Sequence, residues 1–112
     1  MGFQKVAEIQ EFEKIEKKLV ALDDKKILLT KVEGAYYAIS NKCPHMGGSL
    51  YNGTLEDGVI TCPRHGAKYD AKTGKGLGKP KILFWEFKME NDLSYPVKVE
   101  GESILIDVNP DT

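Results

Sequence analysis

The sequence predicts a single small all-β domain, an antiparallel β-sandwich or partial barrel. Three observations lead there. The chain has 112 residues, which fits one domain with a modest core. Short runs rich in Val, Ile and Tyr recur along it, separated by Gly and Asp turn signals. Only one stretch has helical periodicity.

That stretch comes first. "IQEFEKIEKK" spaces Ile9, Phe12 and Ile15 like a short amphipathic helix of one or two turns. Next, "KKILLTKVEGAYYAIS" carries two apolar runs, Ile27–Val32 and Ala35–Ile39, around Glu33-Gly34, a hairpin signal. Shorter β-like pieces follow at Gly53–Leu55, Val59–Thr61 and Lys68–Asp70. "KILFWEFKMENDLS" is an aromatic insert whose Phe84, Trp85 and Phe87 read as core or strand residues. The closing "YPVKVEGESILIDV" alternates Val97, Val99, Ile104 and Ile106 around a turn near Gly101, a second hairpin. No repeat, low-complexity segment or linker interrupts residues 1–112, which are expected to form one domain.

Composition excludes several functions. A net charge of −1 argues against a nucleic-acid binder. No apolar run approaches the ~20 residues needed to span a bilayer. The start lacks the apolar stretch of a secretory signal. The expectation is a soluble, cytoplasmic chain, in which a disulfide between the two cysteines is improbable.

The chemistry is concentrated in two similar loops, "CPHMGG" at 43–48 and "CPRHGA" at 62–67. They hold both cysteines and both histidines of the chain. Cys43-x-His45 and Cys62-x-x-His65 make a Cys₂His₂ set, which suits a tetrahedral zinc site or a [2Fe–2S] cluster with two His on one iron. Structural zinc usually draws its ligand pairs from C-x₂₋₄-C or H-x₃₋₅-H turns. Here each loop supplies one Cys and one His, as a cluster clamped from both sides requires. Pro44 and Pro63 stiffen the loops, while Gly47, Gly48 and Gly66 permit close backbone approach.

"CPHMGGSL" followed by "GVITCPRHGAKYDAKTGK" resembles the signature of the Rieske [2Fe–2S] family. The resemblance implies that Cys43 and Cys62 bind the inner iron and His45 and His65 the outer iron. The cofactor would be one [2Fe–2S] cluster, held in a subdomain of two loops at 43–50 and 62–70. Pro80, in "GKGLGKP", falls where the family has a third, proline-containing loop over the cluster. In the high-potential branch a Ser and a Tyr after the second His donate hydrogen bonds to the cluster; here those places hold Ala67 and Tyr69.

The branch can be narrowed. Rieske oxygenases add a mononuclear iron with two further histidines and a carboxylate, for which this chain has no residues. Respiratory and photosynthetic Rieske subunits carry two extra cysteines and a membrane anchor, also missing here. The chain therefore resembles the soluble Rieske ferredoxins, including the archaeal sulredoxin type. That implies an electron carrier without catalysis of its own. By that resemblance its partners would be a flavin-dependent reductase and a terminal oxygenase or other acceptor. The rival readings are a small Rieske subunit of a nitrite reductase and, in a different class, a structural zinc module for protein contacts. Six basic residues against Asp70 alone between Cys62 and Lys81 suggest a docking face around Arg64, Lys68, Lys72 and Lys75, or merely a solvated surface.

Overall fold

Four of the antiparallel strand pairs are hairpins closed by a turn of two residues, and those turns shape the architecture. The computed structural model describes residues 2–42, 48–63, 66–78 and 92–108. Strand β1 (Gln4–Glu8) leads into a 3₁₀ turn (Ile9–Glu13), then β2 (Lys17–Leu22), β3 (Lys25–Val32) and β4 (Ala35–Ser40). A short 3₁₀ turn (Leu50–Asn52) precedes β5 (Thr54–Glu56), β6 (Val59–Thr61), β7 (Lys68–Asp70) and β8 (Gly76–Gly78). The chain ends in β9 (Ser94–Tyr95), β10 (Val97–Glu100) and β11 (Ser103–Ile106). At Asp23-Asp24, Glu33-Gly34 and Asp57-Gly58 both turn residues have positive φ. That is the geometry whose twist matches paired antiparallel strands.

Three antiparallel sheets result, ordered β1-β11-β10, β2-β3-β4-β9 and β5-β6-β7-β8. The middle sheet is a shared wall. Because side chains alternate across a strand, Ile27 and Leu29 join one core with Phe12, Ala38, Ile104 and Ile106. Leu28 and Ile39 join the other, with Leu50, Ile60, Cys62, Ala67 and Tyr69. This accounts for the unbroken "ILL" run, since β3 is buried on both faces there. Each such side chain contributes about 1.5–3 kcal/mol by leaving water.

The expected short helix is present as a 3₁₀ turn of five residues that ends before Ile15. Phe12 is buried and stacks edge-on to Tyr36, with ring centroids 5.4 Å apart. Ile15, by contrast, is exposed, because the chain has already left the 3₁₀ turn and is entering β2. Both expected hairpins are present, as β3–β4 and β10–β11. Among the described residues no helix is long and apolar enough to cross a membrane. The aromatic insert at Phe84, Trp85 and Phe87 lies outside the described residues.

Candidate metal centre

The four-stranded sheet β5–β8 holds the second ligand loop at one end. In β6, Thr61 pairs with Lys68 of β7, and Cys62 follows directly. The Cys62 backbone N–H donates to the Ala67 carbonyl at 2.7 Å, which closes residues 62–67 into a tight loop. Gly66 makes the return with φ of +69°, a conformation L side chains rarely adopt. Cys62 is buried at the loop's root, on a floor of Leu50, Ile60, Ala67 and Tyr69. His65 and Arg64 lie outside the described residues.

The first ligand loop begins and ends on described residues, while Cys43, His45 and Gly47 lie outside them. Its neck is closed by Asn41, which is buried. The Asn41 carbonyl accepts from Leu50 N–H at 2.8 Å, and its Oδ1 accepts from Tyr51 N–H at 2.8 Å. Asn41 Nδ2 donates to Ser49 Oγ at 2.8 Å, and Lys42 and Ser49 form a β-bridge. From the adjacent sheet, Lys17 Nζ donates to the carbonyls of Tyr51 and Gly53. Its ammonium sits 4.9 Å from the Tyr51 ring centroid, a cation–π contact. Gly53 in turn lies against the Thr61 carbonyl so closely that no side chain fits between them. Sequence reasoning missed Asn41, Lys17 and Gly53. The only signal was a lone Asn two residues before Cys43.

The expected tuning residues divide similarly. Ala67 and Tyr69 are fully buried beside Cys62, where polar groups would reach the loop floor. Pro80 lies outside the described residues. The turn after β7 returns through Gly74, whose N–H donates to the Asp70 carbonyl. The chain comes back to the same point at Asp92, whose N–H donates to the Gly74 carbonyl at 2.6 Å. Asp92 is buried, and burial pushes its carboxyl up to about 7 against the opposing pull of its bond from Leu93 N–H.

The described lysines of the expected basic face lie along β7 and the turn after it. Lys68 opposes Thr61 at the ligand end of β7, and its Nζ bonds Thr61 Oγ1. Lys72 and Lys75 belong to the β7–β8 turn at the other end of the sheet. There the Lys72 side chain lies near Gly58 and the Tyr37 ring. Glu56 and Asp57 line a groove at that same end, with Glu16 and Glu33, of about 360 Å³.

Among the described residues no three His, Cys, Asp or Glu side chains gather to hold a metal, three of the four expected ligands being outside them. What is described fits an iron–sulfur group. A buried thiol at the root of a tightly closed loop gives a soft ligand shielded from water, with backbone amides close by. A small antiparallel β domain with every Cys and His confined to two loops has the donor set of a metal-centre protein. The sequence profile of the Rieske [2Fe-2S] domain matches residues 2–83, and the chain belongs to that family.

Its relatives agree. It is 36% identical over 90 residues, 80% of each chain, to the ferredoxin component of the naphthalene 1,2-dioxygenase system of Pseudomonas aeruginosa. It is 40% identical over 83 residues to the 3-phenylpropionate/cinnamic acid dioxygenase ferredoxin subunit of Shigella boydii serotype 4, covering 73% of this chain and 72% of that one. Among solved structures it is similar to the ferredoxin of carbazole 1,9a-dioxygenase from Nocardioides aromaticivorans IC177. The TM-score is 0.80 at 25% identity, over 95% of this chain and 97% of the other.

Proposed function

We propose that this protein is a one-electron carrier that holds one Rieske [2Fe–2S] cluster through Cys43, His45, Cys62 and His65, within a single domain of residues 1–112 in the cytoplasm. The observation that carries the reading is the confinement of every Cys and His to two loops of a Rieske-family chain, with Cys62 buried at the root of one. No histidine or cysteine is left over for acid–base or nucleophilic catalysis. A bound cluster of this kind supplies reversible one-electron transfer at a potential tuned by hydrogen bonds to its sulfurs.

The chain's own residues supply the setting. The Cys62–Ala67 hydrogen bond and Gly66 shape the second loop. Leu50, Ile60, Ala67 and Tyr69 exclude water from its floor, which strengthens every electrostatic interaction there. Lys68 stands at the ligand end, with the exposed Leu77 on β8 beside that edge. A mixed basic and apolar rim of this kind suits docking on an acidic partner surface. The relatives named as ferredoxin components of dioxygenase systems support a reductase as donor and a terminal oxygenase as acceptor.

The test is analysis of the purified protein for iron, acid-labile sulfide and zinc, followed by a reductive titration. Two irons, two sulfides and one electron per chain are expected. Colourless protein with one zinc would make it a structural zinc module instead.

A further inference from the structure

We propose that Asn41 is a positioning residue for the metal centre, tying the neck of the first ligand loop to β3 and to the floor beneath Cys62. The proposal rests on the reading that Cys43 and His45 bind the cluster.

Asn41 follows the last residue of β4, and its backbone N–H donates to the Lys26 carbonyl at 2.9 Å. That bond ties it to the middle sheet. Its three remaining polar groups all go to the far side of the loop, to three consecutive residues. The carbonyl takes Leu50 N–H, Oδ1 takes Tyr51 N–H, and Nδ2 gives to Ser49 Oγ. Asn41 is only 5% exposed, so none of these bonds is readily replaced by water. The requirement is for a donor and an acceptor on one short, planar side chain, which is what Asn provides.

The other half of the linkage is apolar. Leu50, seated by Asn41, is fully buried in the same cluster as Cys62, Ala67 and Tyr69. A continuous line of contacts therefore runs from β3 through Asn41 and Leu50 to the floor of the second loop. The two loops must hold one cluster between them, each giving one Cys and one His. Their relative placement is thus a property of the metal centre as well as of the fold. Loosening the neck two residues before Cys43 would release that tie between β3 and the floor of Cys62. Ligand orientation and the hydrogen bonds to sulfur would change with it.

The experiment compares Asn41→Ala, Asn41→Asp and Ser49→Ala with wild type. Electron paramagnetic resonance g-values of the reduced protein, midpoint potential and thermal midpoint are measured on each. Ile104→Val, in the core that does not contain Cys62, is the destabilised reference. Asn41→Ala should shift both g-values and potential, and should release iron to a chelator about tenfold faster, since it orphans buried partners. Asn41→Asp keeps the bond from Tyr51 N–H but loses the donor to Ser49 Oγ, so its g-values and potential should shift, by less than in Asn41→Ala. Ser49→Ala should fall between. Ile104→Val should lower the thermal midpoint with its spectrum unmoved. If Asn41→Ala yields no folded protein, Ser49→Ala and Asn41→Asp decide by the same readouts. Unchanged g-values and potential in the Asn41 and Ser49 variants, with only thermal midpoints lowered, would overturn the positioning role. Wild-type protein without an iron–sulfur spectrum would overturn the cluster reading itself, and this proposal with it.

Discussion

Replacing Gly53 by alanine should damage the protein far more than its half-buried turn position suggests. A Cβ there would stand 1.9 Å from the Thr61 carbonyl oxygen, 3.0 Å from the Thr61 carbonyl carbon and 3.2 Å from the Leu50 carbonyl oxygen. Ordinary carbon–oxygen contacts begin near ~3.3 Å, so the Thr61 carbonyl must retreat by about 1.4 Å. Thr61 is paired on both sides, to Thr54 and to Lys68, and Cys62 is the next residue. Nothing flexible can yield. Gly53 has φ of −86°, so no left-handed strain enters, and the effect is purely steric. Overpacking costs about 1–3 kcal/mol where side chains can shift. Against backbone we expect about 3 kcal/mol, or a fall of about 12 °C in thermal midpoint. Gly34→Ala is the contrasting control, with φ of +83° and open space around its Cβ. It should cost about 1 kcal/mol from backbone conformation alone. Circular-dichroism melting with iron analysis measures both. A Gly53→Ala protein that melts above the Gly34→Ala protein and keeps its full iron would refute the close approach of Gly53 to Thr61.

Other substitutions probe other parts of the account. Thr30 is fully buried, and its Oγ1 has no hydrogen-bond partner among the described residues. Thr30→Val should therefore raise the urea midpoint, by about 1 kcal/mol of stability at unchanged slope, and a loss instead would reveal a partner for that hydroxyl. Asp92 has a folded pKa near 7 against 3.8 in the unfolded chain, so the unfolded state loses its proton first. Stability should fall as pH rises from about 4 to 7, by about 2 kcal/mol after allowance for solvent screening, and level off above. Asp92→Asn should abolish that slope, and an identical pH profile in the variant would remove Asp92 as its cause. Ala67→Ser should raise the reduction potential and Tyr69→Phe lower it, each by about 40 mV for a bond favouring the reduced state by about 1 kcal/mol. Voltammetry showing no shift in either would mean these side chains do not act on the cluster.

The parts of the fold that could be read from sequence are those whose signal is local. Glu33-Gly34 and Gly101 announced their hairpins because a residue with positive φ stands between alternating apolar runs. Strand β2 was hidden because its turn is Asp23-Asp24, with no glycine, and its lysines look like a continued helix face. Strands β8 and β9 are too short for a pattern, and tertiary pairing with β7 and β4 makes them strands. The ligands were legible through scarcity: with two Cys and two His in the whole chain, their spacing carries nearly all the information. The supports were not. Asn41 meets partners eight to ten residues away, and Lys17 reaches across to the turn before β5. Nothing in the sequence near either residue reports those contacts.

The central claim is that both histidines and both cysteines are spent on one iron–sulfur cluster. Because His45 and His65 are the only histidines in the chain, labelling histidine with ¹⁵N marks the proposed outer ligands and nothing else. Electron–nuclear double resonance on the chemically reduced protein then tests the assignment directly. The account predicts coupling to two ¹⁵N nuclei, falling to one in His45→Cys and in His65→Cys. A reduced cluster with no strongly coupled histidine nitrogen, or a spectrum indifferent to both substitutions, would contradict it.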